Sequence, residues 1–297
     1  MQVFFQNKNK ILKKAVIFNF DGSFSCSDID TVDLHNEEEK FRYFTSLSSM
    51  SRISIIASEH LKTKKIFHIG NGDLHHISYA ILCALKIPDL HIVVFDNHPD
   101  NMIFPLGIHC GSWVYHAAKL PFVSRVSVIG ITSEDISGIN ILQNRYSPLR
   151  NGKVSYFCLR EVPKITSMLS NGGVKDIRKI RENLPEFIKS EIVKSGEPVY
   201  LSIDKDVLSE SSARSTWDQG VLSTDELIKC IDSFADQIVA ADICGEISEC
   251  NFKSFTKRLL RALDGNEAPI ENRQNEINKH FKINNLLIKS ILQNEQL

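Results

Sequence analysis

The 297-residue sequence lacks a CxxC pair, a long apolar run, a block of basic charge and any internal repeat. Its seven cysteines (Cys26, Cys83, Cys110, Cys158, Cys230, Cys244 and Cys250) are scattered and odd in number. That argues against a disulfide framework or a structural zinc site and favours reduced thiols in a cytoplasmic protein. No stretch approaches the roughly 18 apolar residues of a membrane span, and the "AVIF" near the start is too short for a signal-peptide core. Lysine and arginine number 35 against 36 acidic residues, so a large electropositive footprint for nucleic acid is not indicated. No interdomain linker stands out.

What is present suits an ordinary globular chain: 42% hydrophobic residues support a substantial core. Short β-rich runs recur ("KAVIFNF", "KIFHIG", "LHIVVFD", "RVSVIGI", "KVSYFCL", "PVYLSID" and "QIVAADIC"), separated by helix-like segments. This alternation predicts an α/β fold with a mainly parallel sheet covered by helices. Consecutive apolar positions in several runs fit strands buried on both faces. Helices are predicted over Ile77–Lys86, Ser112–Lys119 and Lys175–Lys194, the last interrupted or kinked at Pro185. Another starts at Ser223, where Glu226 stands at capping-box spacing. "SFSCSDID" and "EEEK" read as loop or solvated surface. Residues 1–270 are expected to form one α/β domain. Residues 271–297 suggest a C-terminal amphipathic helix carrying Ile277, Phe281, Ile288 and Ile291, packed on the domain or on a partner subunit.

Two strand ends carry an unusual pattern. "VVFDNHPDNM" places Asp96, His98 and Asp100 at every second position, and "PVYLSIDKDVL" places Asp204 and Asp206 likewise. In extended backbone, residues two apart point to the same side, so each set can converge on one site. Sites in open α/β sheets form at the carboxyl ends of strands. A third stretch, "HIGNGDLHHIS", offers Asp73, His75 and His76 after another predicted strand. Its glycines fit a tight turn, and it lacks the Lys-Ser/Thr of a P-loop.

A cluster of His75, Asp96, His98, Asp100, Asp204 and Asp206 holds four carboxylates, a formal charge of about −4 that two divalent cations balance and one does not. Mixed imidazole and carboxylate donors suit Mn(II) first, with zinc, iron, cobalt or nickel also compatible. Two cations about 3.5–4 Å apart can share a water, lower its pKa and supply hydroxide at neutral pH, which implies hydrolysis. His68 and His91 lie within apolar runs and read as packed or hydrogen-bonded histidines.

These motifs resemble those of the ureohydrolases (arginase, agmatinase and formimidoylglutamase). "DNHPD" is similar to their "DAHxD", "SIDKD" to "SxDxD", and "GNGDLHHIS" to "GGDHS" with one extra residue. The resemblance, over residues 10–265, implies a three-layer α/β/α fold. It also implies a dimanganese centre, with a hydroxide bridging the metals to attack a guanidinium or amidine carbon of a small molecule. By position it makes Asp96, His98, Asp100, Asp204 and Asp206 ligands, with His75 as the remaining one and His76 as the alternative. Asp100 would hold and orient a metal for catalysis. His109 in "IHCGSW" matches a proton-transferring histidine, and Cys110 beside it reads as a small buried thiol. Glu246 in "VAADICGEISE" falls one residue later than the family's guanidinium-binding glutamate. The family's proline-glycine loop after the second aspartate motif is replaced by "VLSESSARSTWDQGVLS", which offers Trp217, Asp218 and Gln219 to a different pocket. A deacetylase-like amidohydrolase with one metal and a non-catalytic metal-binding protein are the competing readings. A homo-oligomer is expected from the resemblance, with no interface visible in the sequence.

Overall fold

The computed structural model describes residues 12–264, 270 and 272–293. Eleven strands follow one another along the described chain: β1 (Ala15–Asn19), β2 (Asp30–Asp33), β3 (Phe44–Thr45), β4 (Ile66–His68), β5 (Leu90–Phe95), β6 (Ile108–His109), β7 (Val123–Ile131), β8 (Val154–Cys158), β9 (Val174–Asp176), β10 (Val199–Asp204) and β11 (Ile238–Cys244). Nine of them form one sheet in the order β2-β1-β4-β11-β10-β5-β7-β8-β9, while β3 and β6 make a small antiparallel ribbon. Every pairing in the large sheet is parallel.

Alternate strand residues feed two separate cores, as the two-residue period of a strand requires. Val93, Phe95, Leu201 and Ile203 join Leu227, Ile231, Leu287 and Ile288 from helices on one side. Ile92, Val94 and Tyr200 join Met50, Ile53, Ile81 and Trp113 from helices on the other. The architecture is therefore three-layered, α/β/α, as the sequence predicts. No described helix is long and apolar enough to cross a membrane.

The helices at Ile77–Leu85 and Trp113–Ala118 lie where they were expected, and Ser223 and Glu226 close a reciprocal capping box on Thr224–Asp232. Three expectations need correction. Lys175–Lys194 is not one interrupted helix: it opens inside β9, then continues as short helical turns over Arg178–Asn183, Leu184–Phe187 and Ile188–Ile192. Pro185 stands in the first turn of the second of these, where its missing N–H costs nothing. "SFSCSDID" is not all surface, since Phe24 and Ile29 are buried and Asp30 begins β2. In "EEEK", Glu38–Phe41 forms a helical turn, and Glu38 pairs with Arg42.

The C-terminal helix runs Arg273–Ile291 and buries Ile283, Leu287, Ile288 and Ile291 against the first core. Its buried stripe also contains Glu276, His280 and Asn284, whereas Phe281 is 43% exposed, so the stripe is rotated from the one read in the sequence. The polar members are tolerated because each has a partner in the domain. Glu276 accepts from Arg214 N, His280 Nε2 bonds Arg214 O, and Asn284 reaches Glu246 and Lys205. Residues 271 and 294–297 of the expected tail lie outside the described residues.

Candidate metal centre

Four neighbouring strands, β4, β11, β10 and β5, send their carboxyl ends to one place. The loop after β4 brings His75, the loop after β5 brings Asp96, His98 and Asp100, and the end of β10 brings Asp204 and Asp206. All line one cavity of about 120 Å³, together with Gly72, His109, Cys110, Trp217, Asp135, Asn140, Gln143 and Asn144.

Their donor atoms interlock. His75 Nδ1 lies 3.2 Å from Asp96 Oδ2, 3.0 Å from Asp100 Oδ2 and 3.7 Å from Asp204 Oδ2. His98 Nδ1 lies 2.9 Å from Asp206 Oδ2 and 3.6 Å from Asp96 Oδ1. Three donor groups result, each with its atoms within 4.8 Å of one another: His75 with Asp204 and Cys244, His75 with Asp96 and Asp100, and Asp96 with His98 and Asp206. Asp96 belongs to the last two. His76, the alternative imidazole, is buried next door and belongs to none of the donor groups found among the described residues.

Backbone and neighbouring side chains fix these groups. Asp96 Oδ1 accepts from His98 N, Asp206 Oδ1 from Asn97 N, and Asp204 Oδ1 from Asp206 N. Trp113 Nε1 donates to Asp100 Oδ2 at 2.7 Å, and Asp100 itself holds φ +47, a left-handed conformation uncommon outside glycine and found at functional sites. Behind His75, Nε2 meets Ser202 Oγ at 2.8 Å, and Ser202 Oγ donates onward to Asp242. An imidazole backed in this way has its other nitrogen oriented toward a metal. Gly72 is required by space: a Cβ there would sit 2.9 Å from Asp204 Oδ2 and 3.1 Å from the Trp217 ring.

The electrostatics are those of a cation site. Burial and the charge of Asp96 push Asp100 up to about 7. Burial with the charges of Asp204 and Asp96 raises Asp206 well above the carboxylate range. Burial disfavours the charge on His75 and His98, yet the surrounding acidic groups drive both well above the ordinary histidine value. Asp96 Oδ2 is buried and accepts no hydrogen bond, although His75 stands beside it. An orphaned carboxylate oxygen at the centre of two overlapping N/O donor groups fits two divalent ions.

Residues 8–251 match the sequence model of the arginase family. The chain belongs to the arginase family. A curated relative, an uncharacterized protein of Thermotoga maritima, is 28% identical over 72% of this chain and 70% of its own. Among solved structures, the arginase-family fold is shared with arginase from Bacillus subtilis (14% identity, TM-score 0.57, covering 94% of this chain and 97% of that one). It is also shared with a hypothetical agmatinase from Burkholderia thailandensis (17%, 0.55, 91% and 70%). Proclavaminate amidino hydrolase from Streptomyces clavuligerus is a third (18%, 0.54, 84% and 71%).

Around the centre, this arginase-family chain places its other candidate residues unevenly. Trp217 forms a cavity wall, its Nε1 donating to Asp73 and its ring lying 4.6 Å from the Arg261 guanidinium. Asp218 accepts from His98 Nε2 at 2.7 Å at the exposed rim, and Gln219 turns away to bond Leu208 O and Ser215 N. His109 lines the cavity between Tyr43 and Phe104. Its Nδ1 accepts from Gly111 N, and burial, abetted by Arg261 and Lys257, lowers its pKa to about 3. The neutral ring therefore carries its hydrogen on Nε2.

Glu246 is not brought to the cavity. Its carboxylate is buried, ion-paired with Lys205 Nζ and held by Asn284 Nδ2 at 2.6 Å. Gly245, at φ +82, turns the chain just before it, and a Cβ at that position would meet Asp204 Oδ1 at 2.4 Å. Asp73 is likewise committed elsewhere, to Arg42 and Arg261. Sequence reading missed Trp113, Asn97, Ser202, Asp242 and Lys205 as supports of the centre. Lys205 had a signal, since a lysine flanked by two buried aspartates needs a counter-ion of its own.

Proposed function

We propose that the protein is a binuclear metal-dependent hydrolase of linear C–N bonds, acting on a small molecule with an amidino-type carbon. The observation that carries this reading is the pair of donor groups sharing Asp96, which suits two ions side by side. Family membership supports hydrolase chemistry of the amidino kind in general.

His75, Asp96, Asp100 and Asp204 would hold one cation and Asp96, His98 and Asp206 the other, with Mn(II) the family's usual occupant. Two such ions supply Lewis acidity and an activated water. The chain's own groups do the rest. Trp217 and the amides of Asn140 and Asn144 shape the space for a trigonal carbon. His109, neutral with Nε2–H free of an acceptor nitrogen role, donates a hydrogen bond to charge developing on the substrate rather than taking a proton. Asp218 orients His98.

The withdrawal of Glu246 into its pair with Lys205 supports a second reading, hydrolysis of an acylated amine, because no cation of the substrate is met by that carboxylate. Elemental analysis of purified protein, with a urea and ammonia release screen over guanidino, amidino and acylated amine compounds, separates the two. Two metals per chain, both lost in Asp100→Ala or Asp206→Ala, are expected. Full occupancy in those variants would overturn the ligand set.

A further inference from the structure

The end of β11 adds a donor that the carboxylate–imidazole set does not use. Asp204 and Cys244 are register partners across the β10–β11 ladder, so their side chains leave the sheet on the same face. Cys244 Sγ donates to Asp204 Oδ2 at 3.2 Å, and His75, Asp204 and Cys244 bring nitrogen, oxygen and sulfur within 4.8 Å of one another. All three residues are buried. The rest of the strand is arranged to the same end: two residues earlier on that face, Asp242 receives Ser202 Oγ, which backs His75 Nε2 and leaves His75 Nδ1 turned into the cluster. The unpartnered Asp96 Oδ2 lies 3.2 Å from that Nδ1. A thiol serving only as packing would not need this neighbourhood of hard, charged donors.

We propose that Cys244 is a ligand of the cation on the His75 side, giving that position a sulfur donor and a preference for zinc, cobalt or ferrous iron over manganese. The inference rests on the two-cation reading above and departs from it at one position: thiolate selects borderline metals, whereas the His98 side, with oxygen and imidazole donors alone, accepts manganese. On binding, the Cys244 thiol loses its proton to solvent and the sulfur lone pair takes the coordination position. The centre is then asymmetric, one ion held by sulfur and one not.

The test is an anaerobic titration of metal-free protein with cobalt(II), followed by absorption spectroscopy. The wild type is expected to bind two cobalt ions, one of which shows a thiolate-to-cobalt charge-transfer band in the near ultraviolet. Cys110→Ser, which removes the thiol that lines the cavity, keeps the band, and Cys244→Ser abolishes it. In competition between zinc and manganese, Cys244→Ser is expected to weaken zinc at one position by at least about 10–100-fold, the loss that even an outer-shell partner causes. Two cobalt ions bound to wild type without a charge-transfer band would overturn the sulfur ligand and leave the two-cation reading standing. No bound metal at all would overturn both. The wild-type spectrum decides the point even where Cys244→Ser fails to fold.

Discussion

Replacing Lys205 with methionine isolates a fully buried ion pair beside the second aspartate motif. Lys205 is 0% exposed and Glu246 2%, so the pair belongs to the buried class rather than to surface pairs worth about 0–1 kcal/mol. Lys205→Met leaves Glu246 buried with Asn284 as donor and His280 Nδ1 3.7 Å away. Stranding one member of such a pair costs about 3–5 kcal/mol. Lys205→Met combined with Glu246→Gln removes both charges and keeps an acceptor for Asn284, so most of that loss should return. The assay is urea denaturation in chelator, followed by fluorescence of Trp113 and Trp217, because bound metal would brace the same loop and mask the effect. With an m-value of about 3 kcal/mol/M, the single variant should lower the midpoint by about 1–1.7 M and the double by less than half of that. A single-variant cost below about 1 kcal/mol, or a double variant no more stable than the single, would refute the reasoning.

Metal addition should stabilise the folded chain by about 2.7 kcal/mol per site at a free ion concentration 100 times Kd, and chelator should reverse it; denaturation midpoints unchanged by manganese, zinc and cobalt would count against the centre. His68 is buried against Phe24, neither ring nitrogen has a hydrogen-bond partner, and burial lowers its pKa to about 3. The unfolded chain therefore takes up this proton first as pH falls below about 6.5, and stability drops by about 1.4 kcal/mol per pH unit down to the folded value. His68→Phe should flatten that acid limb by about one proton, read from unfolding at pH 5 against pH 7; an unchanged limb would place the titration elsewhere. His109→Phe should reduce kcat by about 10²–10³ with little change in KM, the loss of a single positioned donor. Because His109 stays neutral across the working range, wild-type kcat should show no inflection near pH 6.5 that this variant removes.

The central architecture could be read from the sequence because buried parallel strands are written in uninterrupted apolar runs. All seven runs singled out became strands. β2, "DTVD", and β9, only Val174–Asp176, escaped because edge strands are short, polar and without a second face to bury. The convergence of the candidate metal donors was legible for a chemical reason: carboxylates repeated at strand ends repel unless something positive joins them. Glu246 was not, since its direction depends on the positive φ of Gly245, which no residue pattern announces. The supports Ser202 and Asp242 depend on the register between β10 and β11, a long-range fact carried by no local spacing.

The position of β11 bears on how the chain is made. It is the last of the described strands and lies in the middle of the sheet, between β4 and β10. A nascent chain that has not reached Cys244 therefore holds two half-sheets, each with an open, apolar inner edge, and pairing them wrongly or with another chain is the ready alternative. His75 belongs to one half and Asp96, Asp100 and Asp204 to the other, so the donor groups that His75 joins cannot close before that final insertion. Cations held as proposed would bridge the halves and favour the assembled sheet over the split one, so metal supply during synthesis should raise the yield of soluble protein as well as its stability.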